Sequence, residues 1–90
     1  MIEKILDSYY VKKLTNKLEH DLNENWNLDF EIIRTKHAVA IHAKPRKHKN
    51  YTCVYAFMID EAIFVAANYY KYLKTVNDII RAIDKDNGWN

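Results

Sequence analysis

Six cations stand between Ile32 and Ile59, namely Arg34, Lys36, Lys44, Arg46, Lys47 and Lys49, and no acid interrupts them. The stretch carries +6 and the remainder of the chain −4, within an overall formal charge of +2. His37, His42 and His48 lie in the same stretch. The chemistry such a run offers is the attraction of a polyanion at a distance and the neutralisation of its phosphates on contact, with release of condensed counterions. Arg34, Lys36, Lys44, Arg46, Lys47, His48 and Lys49 are therefore the candidate binding residues. The plainer reading is that the lysines only solvate a hairpin loop.

Other chemistries lack their residues. His37 and His42 would point to opposite faces of an extended strand, and Cys53 is the only thiol, so no metal site is expected. Cys53 lies in an apolar run and reads as a small buried hydrophobe. Ser8 is the sole serine and has no visible base, and the single glycine, Gly88, rules out a Gly-rich phosphate loop. Neither catalytic residues nor a cofactor is expected. Seven tyrosines (Tyr9, Tyr10, Tyr51, Tyr55, Tyr69, Tyr70 and Tyr72) could stack on bases, although tyrosines more often rim a small core with wet hydroxyls.

The elements that position these residues follow from periodicity. Ninety residues, 49% hydrophobic and 29% charged, suit one small domain, here residues 1–90. Ile2 to about Glu24 reads as a helix with apolar residues on two sides. Val11, Leu14, Leu18 and Leu22 form one stripe. Ile2, Ile5, Leu6 and Tyr9 form another, roughly opposite. The second stripe implies a bend near Tyr10, a helix wrapped across the sheet, or burial against another chain. Of these the expectation is a protein interface formed by Ile2, Ile5, Leu6 and Tyr9 with a partner or a second copy.

Asn25–Asn27 breaks the helix. Leu28–Ile32 alternates as a half-buried strand, His37–Lys44 is a second strand after a turn at Thr35–Lys36, and Tyr51–Met58 is a third. The loop between the last two carries Pro45, Arg46, Lys47, His48 and Lys49. If the strands pair as a meander, Arg34, Lys36 and Lys44 are expected to add to the loop's positive field.

From Asp60 to Asp86 two patterns compete. Ile63–Val65 and Asn68–Tyr70 favour a fourth strand, followed by a short helix starting at Thr75. Against this, Ala62, Ala66, Tyr69, Leu73, Val76, Ile80 and Ile83 recur at helical spacing, opposite Glu61, Asn68, Lys71, Thr75, Asp78 and Lys85. We read one long helix, N-capped by Asp60, stapled by Ile59 and Phe64, and stopped at Gly88. The expected fold class is α+β, α-β-β-β-α, with a three-stranded antiparallel sheet packed by two long helices. The alternative is α-β-β-β-β-α with a short last helix.

The order of a helix, three strands and a helix resembles the double-stranded-RNA-binding domain in topology, and Ala62, Ala66 and Ala67 match the small-residue spacing of that family's second helix. Asp60 and Glu61 stand where that family carries basic residues, and the basic loop follows the second strand instead of the first.

Acids near the N-terminus and the lack of an approximately 18-residue apolar run predict neither a signal peptide nor a membrane span. The lone cysteine suits a reducing cytoplasm. Abundant Lys, Asn, Ile and Tyr with little Gly and Pro fit an AT-rich reading frame such as those of phages and mobile elements. The expectation from all this is a small non-enzymatic binding protein in a host cytoplasm. It would engage a host nucleoprotein or defence complex through the basic loop, for example as an anti-CRISPR-type inhibitor. The alternatives are a direct DNA- or RNA-binding regulator and a toxin-type ribonuclease using Arg46, His48 and Tyr51.

Overall fold

The computed structural model describes the backbone of residues 2–85 and the side chains of residues 9–85. Helix α1 (Ile2–Asn25) is followed by strands β1 (Leu28–Arg34), β2 (Ala38–Pro45) and β3 (Thr52–Met58), then helices α2 (Ile59–Ala67) and α3 (Tyr69–Lys85). The strands pair as an antiparallel meander, β1-β2-β3. The expected α-β-β-β-α order holds, and there is no fourth strand among the described residues.

Strand alternation decides the core. On β2, Val39, Ile41 and Ala43 are buried, while the intervening Ala38, Ala40, His42 and Lys44 keep partial exposure. Phe30 lies opposite Ala43 in register, and Phe57 lies opposite Val39. These inward residues merge with Val11, Leu14, Leu18 and Leu22 of α1, Ala62 and Val65 of α2, and Tyr72, Ile79 and Ile83 of α3 in one core. The 3.6-residue period of α1 thus places the expected stripe of Val11, Leu14, Leu18 and Leu22 on the core. On the opposite stripe Tyr9 is 59% exposed, and the side chains of Ile2, Ile5 and Leu6 lie outside the described residues. Asn23 fastens α1 to the sheet edge. Its Oδ1 accepts the Phe30 N–H at 2.9 Å and its Nδ2 donates to the Phe30 carbonyl at 3.4 Å. The side-chain amide satisfies the edge N–H and carbonyl of Phe30 as a neighbouring strand would.

Three expectations need correction. Cys53 is exposed. A bulge between Ile41 and His42 adds one residue to β3, so that Tyr55 faces Ile41 and Cys53 faces His42. Because side chains alternate with period two, this extra residue sends Cys53 to the open face of the sheet, where unbroken alternation from Phe57 and Tyr55 would have turned it inward.

The helix from residue 59 is not continuous. Asn68 is extended, at φ −134° and ψ 111°. Its N–H donates to the Val65 carbonyl at 3.3 Å, closing α2. Its Oδ1 accepts the Lys71 N–H at 3.1 Å, and its carbonyl accepts the Tyr72 N–H at 2.9 Å, opening α3. Asn68 is therefore the N-cap of a separate helix. Freed from α2, α3 turns Tyr72, Thr75 and Ile79 inward. Tyr69 and Leu73 are exposed, while Val76 and Ile80 are only half-buried. Thr75 was expected on the polar side. It is buried because its hydroxyl donates to the Lys71 carbonyl at 2.8 Å, which removes the cost of an unpaired group.

Third, Asp60 lies inside the first turn of α2, not at its cap. Met58 occupies the cap without a side-chain hydrogen bond. Asp60 and Glu61 instead place negative charge at the positive end of the helix dipole. Phe64, expected to staple the helix start, is exposed. Gly88 lies outside the described residues.

Candidate nucleic-acid interface

The β2–β3 connection is a compact hairpin tip. The His48 N–H donates to the Pro45 carbonyl at 2.9 Å, so Arg46 and Lys47 occupy the two central positions of a four-residue turn. Proline at the first position ends the ladder, and polar residues then carry the chain across the sheet end. Arg46, Lys47, His48 and Lys49 are all exposed.

Lys44 is drawn out of this group. It lies opposite Asp29 in the β1–β2 register, and its ammonium donates to Asp29 Oδ2 at 2.9 Å with the lysine side chain only 14% exposed. The same ammonium sits 5.4 Å from the centre of the Tyr51 ring. Arg46 Nε approaches Asp29 Oδ1 at 3.8 Å, a looser contact with the arginine still mostly in water. Asp29 and Tyr51 are the two residues of this site that charge counting overlooks. The pairing is set by a turn at Lys36 and His37, closed by the Thr35 N–H donating to the Ala38 carbonyl at 2.9 Å, whereas the expected turn at Thr35–Lys36 would have set Asp29 opposite His42.

Arg34 and Lys36 do not join the tip. Antiparallel pairing puts Arg34 beside Val39 and Leu28 beside Pro45, at opposite ends of the same strand pair. Six residues at about 3.3 Å each separate them by roughly 20 Å, more than two screening lengths at physiological ionic strength. Lys36 and His37 instead border a shallow cavity of about 250 Å³ with Met58, Ile59 and Asp60. The predicted seven-residue field therefore divides into a tip of Arg46, Lys47, His48 and Lys49 with Lys44 behind it, and a separate pair at the far end.

His42 faces the open side of the sheet between Glu31 and Cys53 in register. Among the described residues, no group of three His, Cys, Asp or Glu side chains is placed to hold a metal ion. Nor is any described helix long and apolar enough to cross a membrane. Arg46, His48 and Tyr51 share the hairpin end, with Arg46 near Asp29 and no hydrogen bond among the three.

Comparison of the chain with protein-family models, with curated proteins and with solved structures finds no match, so the likeness to the double-stranded-RNA-binding domain stays one of element order.

Proposed function

We propose that this is a non-enzymatic binding protein that docks its β2–β3 tip on the phosphate backbone of a nucleic acid, free or carried in a host nucleoprotein. The observation that carries the reading is the exposed run Arg46–Lys49. Among the described residues its three cations make one ion-pair contact, Arg46 with Asp29, and Asp29 is already held by Lys44. A turn that projects cations beyond a rigid sheet end reaches into a groove or along a strand without rearranging the domain. Tyr51, partly exposed beside Lys44, adds an aromatic edge to the same end. A nucleic-acid-loaded defence complex of a host cell presents such a backbone, as does a bare duplex.

The reading is tested by fluorescence anisotropy with labelled duplex DNA, single-stranded DNA and RNA across a salt series. Wild type is expected to bind at least one of them, with affinity falling linearly in log salt. Replacing Arg46, Lys47 and Lys49 together with Ala should weaken binding and flatten the slope by about one unit per lost duplex phosphate contact. Absence of binding to all three at low salt, or a triple variant that binds as tightly as wild type, refutes the proposal.

A further inference from the structure

A second site lies away from the tip, where α1 passes the break between α2 and α3. A cavity of about 290 Å³ opens there. Its existence follows from the local sequence. α2 ends in Ala66 and Ala67, whose side chains stop at Cβ, and the extended backbone of Asn68 turns the chain before α3 begins. Space that a longer side chain or an unbroken helix would fill is left open. Leu14 and Val65, both buried, form an apolar floor, and Tyr69 and Tyr72 form an aromatic wall.

The remaining lining is cationic. Lys13 and Lys17 stand one turn apart on α1 and face the cavity together. The Lys17 ammonium is held 4.5 Å from the centre of the Tyr72 ring and 5.3 Å from that of Tyr69. Ring faces attract a cation without neutralising it. The carboxylate that helical spacing would offer Lys17 is Asp21, and Asp21 instead accepts the Tyr72 hydroxyl. Among the described residues neither lysine forms an ion pair. No acid lines the cavity.

From this arrangement we infer that the cavity binds a small molecule consisting of a single planar ring bearing one anionic group, a phosphate or a carboxylate. The ring lies on Leu14, Val65 and Ala66 against Tyr69, and the anion meets the ammonium groups of Lys13 and Lys17. The volume is at the lower limit for ligand pockets, which run from about 300 to 1,000 Å³, so one ring fits and a dinucleotide does not. The inference is independent of the hairpin tip.

The test is a titration of the ¹⁵N-labelled full chain, followed by amide chemical shifts. The probes are phenyl phosphate, uridine 5′-monophosphate and phenylacetate, with inorganic phosphate and benzyl alcohol as the two halves of the ligand. A half-open cavity of this size predicts a dissociation constant on the order of 0.1 to 1 mM for a ring-anion probe. Saturable shifts should cluster at Leu14, Lys17, Ala66, Ala67 and Tyr69. Each half alone should bind at least ~10-fold more weakly, since each lacks one of the two recognised groups. Preference for phenyl phosphate over phenylacetate supports a phosphate ligand, and the reverse supports a carboxylate.

Joint replacement of Lys13 and Lys17 with Gln, at exposed positions that leave the core intact, should reduce phenyl phosphate to the affinity of benzyl alcohol. Ala66→Leu should block every ring probe. Should that variant lose its dispersed spectrum, the glutamine pair decides alone. Lack of saturation with all three ring-anion probes, equal binding of inorganic phosphate or benzyl alcohol, or undiminished binding by the glutamine pair overturns the inference.

Discussion

Two lysine-bearing regions of this molecule invite opposite conclusions from sequence and structure. At the hairpin tip, cations are dense along the chain, yet Lys44 is tied to Asp29 and Arg34 and Lys36 lie at the other end of the sheet. On α1, Lys13 and Lys17 look like ordinary solvated positions of an amphipathic helix, yet the fold sets an aromatic wall and an apolar floor before them. The difference shows that charge density along a chain measures long-range attraction, whereas a ligand site needs cations whose neighbours leave their charge unspent. The tip suits an extended polyanion met from solvent, and the α1 cavity suits a small one held against a ring.

The comparison breaks most visibly at Tyr72, which joins the cavity wall to the core. Tyr72→Ala removes a buried ring and a hydrogen bond to a charged group. It should destabilise the domain by about 3 to 5 kcal/mol, read by chemical denaturation. A loss below about 1 kcal/mol would show that the wall is not part of the core.

Removing only the hydroxyl sharpens the point. Burial first, then the hydrogen bond to Asp21 and its charge, raise the Tyr72 pKa well above its ordinary value of 10.0. The raised value favours the protonated phenol in the folded state, so its contribution is complete below about pH 10 and is lost as pH climbs toward the folded pKa. Tyr72→Phe should therefore cost about 1 to 2 kcal/mol at neutral pH, and the gap to wild type should narrow above about pH 10 in denaturation curves taken at increasing pH. A gap that stays constant to pH 11 or beyond contradicts this assignment.

At the tip, Asp29→Asn tests whether the carboxylate withholds Lys44 from solvent. Stability should fall by about 1 kcal/mol, because Lys44 is left largely covered without its partner. Nucleic-acid affinity should rise, with a steeper salt dependence, as Lys44 and Arg46 are released. Unchanged affinity would mean that Arg46, Lys47 and Lys49 already provide the whole contact. Smallest of all should be the stability effect of replacing those three with Ala, under about 0.5 kcal/mol each by thermal melting, since exposed turn side chains support no packing.

Much of the fold was legible because periodicity is local. The spacing of Val11, Leu14, Leu18 and Leu22 is that of one helix face, the alternation about Val39, Ile41 and Ala43 is that of a half-buried strand, and all of these residues are buried as the pattern requires. The exposure of Arg46–Lys49 follows as directly from a proline-led polar segment between two strands. The helical reading after Ile59 also prevailed over the β-propensity of Ile63–Val65 and Asn68–Tyr70, because propensity is a weak prior, but the continuous stripe on which it rested is broken at Asn68, and Tyr69 and Leu73 are exposed.

What the sequence determined by itself is thus which segments are helix and strand, and where charge is concentrated. Tertiary structure decided the rest, because it depends on residues far apart in the chain. The side chain of Asn23 closes the β1 edge at Phe30, and one extra residue in β3 turns Cys53 to the open face. Tyr72 reaches across 51 residues to Asp21, which leaves Lys17 to the aromatic rings. Asn68 bonds only to its neighbours, but breaking the helix there is favourable because α3 can then bury Tyr72, Thr75 and Ile79 against the sheet and α1. The energy of that packing comes from apolar surface supplied by every other element, and no local pattern around Asn68 contains it.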